Sequence, residues 1–142
     1  MKNIFSDKNI IVTGGASGIG EALVTRFVAM GANVVVVGRS NEYKGPARYF
    51  QADMSSIEES KRVFATIIDE MGSIDYIINS AGIFMGGEIR DTPIEKWHEV
   101  IDNNIYAIAH GSYLALEHML QRKSGHIVNI ASTAGIIPAP AM

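Results

Sequence analysis

Side chains and backbone groups able to do chemistry gather in a few short stretches, the densest being Thr13-Gly14-Gly15-Ala16-Ser17-Gly18-Ile19-Gly20. The β-branched run Asn9-Ile10-Ile11-Val12 leads in, and Glu21-Ala22-Leu23-Val24 leads out in a helical pattern. A strand, a tight turn and a helix in that order leave the first amides of the helix unpaired, at the positive end of its dipole. Such a turn holds a phosphate or pyrophosphate. Glycines suit it because a Cβ would block the turn, the approach of the ligand, or the packing of helix on strand. Away from a suitable sheet, the same cluster is only a glycine-rich bend. Asn104 also stands out, because in a helix interior its amide competes with the backbone for hydrogen bonds. Ser132 directly follows an apolar run, with no Ser-His-Asp order or nucleophile elbow around it, so it is not expected to be a nucleophile. His98, His110, His118 and His126 lack H-E-x-x-H spacing, and no metal is expected. The absence of cysteine removes disulfides and thiol catalysis.

The elements that must position these residues alternate along the chain. Strand patterns fall at 9–13, 34–37, 47–51, 74–79 and 127–131. Val34-Val35-Val36-Val37 has no polar alternation, as expected of a strand covered on both faces. Helix patterns fall at 18–30, 56–71 and from 93 to about 122, the last with a break near 102–104. Ile19, Leu23, Phe27 and Met30 recur at near-helical spacing in the first helix. Ile101, Ile105, Ile108, Leu116 and Leu120 are expected on the apolar face of the long one. Ser55 with Glu58, and Thr92 with Glu95, read as capping boxes, the second with Pro93 at the first helical position. The order predicts an α/β fold, a parallel sheet with helices on both faces joined by right-handed crossovers. Ligands of that architecture bind beyond the carboxyl ends of the strands. That rim would carry Thr13–Gly20, Gly38–Ser40, Ala52–Met54, Asn79–Gly82 and Ala131–Thr133.

At 142 residues, 47% hydrophobic and 19% charged, the composition is that of one soluble globular domain. A net charge of -3 with scattered lysines and arginines points to neither nucleic acid nor an anionic membrane as partner. The start, Met1 to Lys8, is too polar for a signal peptide, and no apolar run approaches ~18 residues. A cytoplasmic protein is expected.

The form Thr13-Gly14-x-x-x-Gly18-x-Gly20 resembles the turn of the short-chain dehydrogenase/reductase family, and four other segments agree with it in order. Asn79-Ser80-Ala81-Gly82 is similar to that family's N-N-A-G, with serine for the second asparagine. Asn104, within Ile101-Asp102-Asn103-Asn104-Ile105, matches the asparagine of its fourth helix. Gly125 to Ser132 matches its fifth strand and catalytic serine, and Asp53 matches an adenine-contacting aspartate. The resemblance implies a single NAD(P)-binding, Rossmann-like doubly wound domain over 1–142, truncated after the fifth strand. It implies an oxidoreductase that interconverts a carbonyl and an alcohol by hydride transfer on a small-molecule substrate.

By the same resemblance Thr13, Gly14, Ser17, Gly18, Ile19 and Gly20 hold the pyrophosphate, and Asp53 and Met54 meet the adenine. Asn79, Ala81 and Gly82 line the adenosine and nicotinamide-ribose side, while Asn79 also steadies the central strand. Ser132 and Asn104 support the chemistry, Asn104 through a bent helix and a held water. Where NAD-selective members carry an acid after the second strand, this chain has Gly38 followed by Arg39. A guanidinium there pairs with a 2′-phosphate, so NADP is favoured and NAD is the alternative. The helix at 93–122 resembles one that pairs subunits. The family's Y-x-x-x-K proton-transfer motif does not occur, because none of Tyr43, Tyr49, Tyr76, Tyr106 and Tyr113 has a lysine four positions on. The resemblance places that motif beyond Met142. The expectation is therefore the N-terminal part of a longer enzyme, inactive alone, with a truncated non-catalytic dinucleotide-binding module as the rival reading.

Overall fold

The computed structural model describes residues 3–137. Five strands, β1 (Asn9–Thr13), β2 (Asn33–Gly38), β3 (Arg48–Gln51), β4 (Tyr76–Asn79) and β5 (His126–Asn129), form one sheet in the order β3-β2-β1-β4-β5. Every pairing is parallel. The register sets Thr13 opposite Val37 and Asn79, Gly38 opposite Gln51, and Asn79 opposite Asn129. The carboxyl ends thus align along one edge, with the strand order reversing on either side of β1. A Rossmann-like crevice opens at that reversal.

Helices α1 (Gly18–Ala29), α2 (Ile57–Met71), α3 (Ile94–Ile101) and α4 (Ala107–Arg122) supply the crossovers. Alternate residues of the inner strands divide between two cores. Ile10, Val12, Val34, Val36 and Ile78 pack with Val24 of α1. Ile11, Val35, Val37 and Ile77 pack with Phe64 and Ile67 of α2 and with Leu114 and Ala115 of α4. Burial on both faces is why these strands are apolar throughout. Ile67 is fully buried among them, so Ile67→Ala is expected to cost about 2–5 kcal/mol in urea unfolding.

Several local expectations are corrected. The α2 cap is Ser56, whose hydroxyl accepts from the Glu59 amide at 3.3 Å. Ser55 is drawn into the preceding turn, where its amide and hydroxyl donate to Asp53 Oδ1 at 2.9 and 2.7 Å. No box forms at Thr92 either, because its hydroxyl donates to the Glu88 carbonyl at 2.9 Å and Pro93 is the cap. The long helix breaks as a π turn, Asp102–Tyr106. Its buried face is Ala107, Gly111, Leu114, Ala115 and Met119. Ile101, Ile105, Leu116 and Leu120, the expected apolar side chains, are exposed, and so is Ile19 of α1. Those side chains share helical spacing but turn away from both cores. Among the described residues no helix is long and apolar enough to cross a membrane.

Candidate cofactor and substrate site

The glycine turn connects the end of β1 to α1 as the sequence pattern requires. Gly14 has φ +68°, and a Cβ there would stand 2.7 Å from the Ala81 backbone, so turn and β4 loop touch through bare backbone. Gly18 has φ +56°, and a Cβ would meet nothing within 4 Å, so the space in front of it is open. Ser17 caps α1 with extended backbone, and its hydroxyl makes no cap bond. Exposed Ser17, Gly18 and Ile19 therefore present free first-turn amides and a spare hydroxyl to solvent. An anion fits there on charge and on space.

Beside the turn, a pocket of about 240 Å³ gathers Gly14, Ser17, Arg39, Asp53, Met54 and Ala81, with Gly82 at its edge. Asp53 is fixed from both sides: its amide donates to Glu59 Oε2 at 2.8 Å, while Oδ1 accepts from Ser55. Its second carboxylate oxygen has no partner among the described residues. The Met54 carbonyl accepts from the buried Ser60 hydroxyl at 3.2 Å and from His110 Nδ1–H of α4 at 2.9 Å. A carbonyl can only accept, which fixes the proton on Nδ1. Two helices thus clamp the loop that carries Asp53. Arg39 is exposed at the pocket wall. Lys96, 2.7 Å from Glu99, holds that carboxyl below the usual carboxylate range, with a weaker pull from Arg39.

Thr13 and Asn79 lie behind the pocket rather than in it. Thr13 is buried, and its hydroxyl oxygen accepts from the Ser80 and Ala81 amides at 3.2 and 3.3 Å. Asn79 is fully buried and donates to Ser112 Oγ at 3.0 Å and Asn129 Oδ1 at 2.8 Å. Both side chains tie strand ends together, which is the strand-steadying part of the role expected for Asn79. Gly20 is likewise buried, its missing Cβ making room for the Gly14 carbonyl.

The sequence reading missed Asn103, which lines the same pocket and anchors itself on the Glu99 carbonyl at 2.8 Å. His110 was missed as well. The available signal was the pair of adjacent asparagines inside a helix, each a local violation that asks for a reason. Asn104 points elsewhere. Its Oδ1 accepts from the Ile83 amide at 2.7 Å and its Nδ2 donates to the Ile83 carbonyl at 2.8 Å. This double bond between side chain and backbone pins the loop after β4 to the π turn, a helix irregularity frequent at functional sites. Ser132 caps a short 3₁₀ turn, its Oγ accepting from the Ala134 amide at 3.1 Å. Asn104 and Ser132 line one groove, next to the turn-and-loop pocket.

Comparison with known proteins bears directly on this arrangement. The family model described as short chain dehydrogenase matches residues 8–142. The chain belongs to the short-chain dehydrogenase family. An uncharacterized oxidoreductase of Staphylococcus epidermidis is 35% identical over 140 residues, which cover 93% of this chain and 61% of that relative. A Staphylococcus aureus oxidoreductase is 34% identical over 141 residues, with the same coverage. Ligand-free aldohexose dehydrogenase of Thermoplasma acidophilum superposes with a TM-score of 0.92 at 30% identity, covering 99% of this chain and 56% of that one. ElxO, solved with NADP bound, gives 0.87 at 26% identity, covering 95% and 59%. This short-chain dehydrogenase sequence thus spans about three fifths of the length of the curated relatives it matches.

Proposed function

We propose that residues 1–142 form the nicotinamide-dinucleotide site, with part of the substrate site, of an oxidoreductase that interconverts a carbonyl and an alcohol, NADP being preferred. The observation that carries this reading is the open N-terminus of α1 beside a pocket holding Arg39 and an Asp53 oxygen without a partner. The amides of Ser17, Gly18 and Ile19 would hold the pyrophosphate, and the free Asp53 oxygen would accept from the adenine amino group. Met54 and Asn103 would flank the ring, with Ala81 and Gly82 allowing close approach. A bound nicotinamide supplies or takes up hydride at the substrate carbon. Ser132 would donate its hydroxyl proton in a hydrogen bond to the substrate oxygen and keep it in place. Asn104 would hold the wall of the site through Ile83. No tyrosine with a lysine four positions on occurs in these 142 residues, so the reading covers cofactor binding and substrate positioning and assigns no proton-transfer group.

ElxO was solved with NADP bound, which supports the cofactor class. For this chain the preference rests on Arg39, whose planar guanidinium pairs with a phosphate in two hydrogen bonds. Arg39→Ala is expected to weaken NADPH binding about tenfold or more, about 1.4 kcal/mol, and to leave NADH binding within about twofold. Equal losses for both cofactors would overturn the preference. NADPH binding without ketone reduction by this chain is expected of both readings; absence of ketone reduction in a protein extended to the relatives' full length would favour the non-catalytic module.

We also read subunit pairing from the exposed apolar side chains Ile101, Ile105, Leu116 and Leu120 along the long helix. Sedimentation velocity is expected to show a dimer or larger, and Ile105→Lys to shift it toward monomer.

A further inference from the structure

The loop between β2 and β3 carries Arg39, and two side chains of β3 reach across to hold it. The register places Tyr49 opposite Val36 and Gln51 opposite Gly38. Gln51 Nε2 donates to the Arg39 carbonyl at 3.2 Å and to Asn41 Oδ1 at 2.6 Å. The Tyr49 hydroxyl donates to the Ser40 carbonyl at 2.8 Å. Its ring stacks on Tyr43 of the same loop, with centroids 4.9 Å apart and planes 16° from parallel. The Tyr43 hydroxyl in turn accepts from the Ala47 amide at 3.4 Å. Burial pushes the Tyr49 pKa up from its ordinary value, so at neutral pH the hydroxyl keeps the proton it donates. The backbone around Arg39 is thus held, while its side chain stays exposed.

The same hydroxyl closes a second option at this strand end. Gly38 lies in the pocket wall, and a Cβ there would stand 3.1 Å from the Tyr49 oxygen and 3.5 Å from its ring. The first distance is closer than Cβ atoms ordinarily come, so the oxygen would have to move. It is not free to move, being bound to Ser40 on a ring that Tyr43 covers. An acid at the end of this strand is the device that accepts from an unphosphorylated ribose 2′-hydroxyl. At position 38 such a side chain would meet Tyr49 before it met a ribose. Its carboxylate would also find the Tyr49 proton close at hand.

We propose that Tyr49 is a specificity-determining residue of the dinucleotide site. Its hydroxyl steadies the backbone that presents Arg39 to a 2′-phosphate, and it occupies the space that an acid at position 38 would need. The proposal rests on the NADP reading and names the residue that enforces it. Tyr49 acts through Ser40 and Gly38 and is a positioning residue.

Tyr49→Phe keeps the stacked ring and removes only the oxygen. Affinities for NADPH and NADH are measured by the fluorescence of the reduced cofactor in the parent, Tyr49→Phe, Gly38→Asp and the double variant. Tyr49→Phe is expected to weaken NADPH at least threefold and to leave NADH within twofold. Trypsin should cut that variant after exposed Lys44 at least fivefold faster than the parent, because the loop has lost an anchor. Gly38→Asp alone should gain less than twofold for NADH, whereas the double variant should gain at least tenfold over the parent. General loosening of the fold would weaken both cofactors alike, so the ratio between them separates specificity from stability. An unchanged NADPH-to-NADH ratio in Tyr49→Phe overturns the proposal, and this variant decides alone if Gly38→Asp does not fold. A tenfold NADH gain in Gly38→Asp with Tyr49 intact overturns it as well. A folded parent that binds neither cofactor overturns the dinucleotide reading and the proposal together, whereas NADPH-preferring binding with an unchanged ratio in Tyr49→Phe overturns the proposal alone.

Discussion

Gly18→Ala is expected to abolish most dinucleotide binding while barely touching the fold. The backbone at Gly18 has φ +56°, so an alanine there carries a strain of roughly 1–2 kcal/mol. The added Cβ meets no atom of any other segment within 4 Å, so backbone strain is the main structural cost. That cost lowers the melting temperature by roughly 2–8 °C. In the proposed reading the added methyl group would stand on the first turn of α1, at the amides assigned to the pyrophosphate, although Gly18 itself lines a neighbouring hollow with Glu21 and Ala22 rather than the Arg39–Asp53 pocket. Losing two charge-assisted hydrogen bonds, at about 1.5–3 kcal/mol each, reduces affinity about a hundredfold or more. Gly14→Ala should behave in the opposite sense. It combines φ +68° with a Cβ 2.7 Å from the Ala81 backbone, which cannot give way as a side-chain tip would. A stability loss of roughly 3 kcal/mol or more is expected, read by urea unfolding. A Gly18→Ala protein that binds NADPH like the parent would show that the open turn is not the ligand side.

The second large effect is expected at Asn104. Asn104→Ala removes both partners of Ile83 at once, leaving an amide and a carbonyl unsatisfied in a half-buried loop. The stability cost should be about 2–3 kcal/mol. Hydrogen exchange at the Ile83 amide should lose its protection first, before the core strands respond. Trp97 emission should shift as well, since Trp97 and Ile83 are walls of one groove. A protected Ile83 amide in the variant would contradict the role given to this asparagine.

Much of the fold was legible because both faces of the inner strands are covered. A run such as Val34–Val37 has no amphipathic reading, and its pairing with Ile10–Val12 follows from the βαβ order. The rim of strand ends was legible for the same reason, and Ser17, Arg39, Asp53 and Met54 do line one pocket. What spacing could not reveal was direction. Thr13 and Asn79 occupy rim positions, yet their polar atoms turn inward to neighbouring strand ends and loops, a choice made by tertiary partners. Asn103 and Asn104 are adjacent in sequence, and the helical rotation between them sends one to the pocket and the other to Ile83. The box expected at Ser55 gives way to a cap at Ser56 because Asp53 engages Ser55. The apolar face of the long helix was legible in its periodicity, but periodicity does not say what covers it, and Ile105, Leu116 and Leu120 face solvent.

Titration calorimetry of the chain with NADPH tests the cofactor site most directly, with Gly18→Ala as its control. The predicted result is saturable binding at one site per chain, stronger than for NADH and lost in the control. A cooperatively folded chain that binds neither NADPH nor NADH would contradict the assignment of Ser17–Ile19, Arg39 and Asp53 to a dinucleotide.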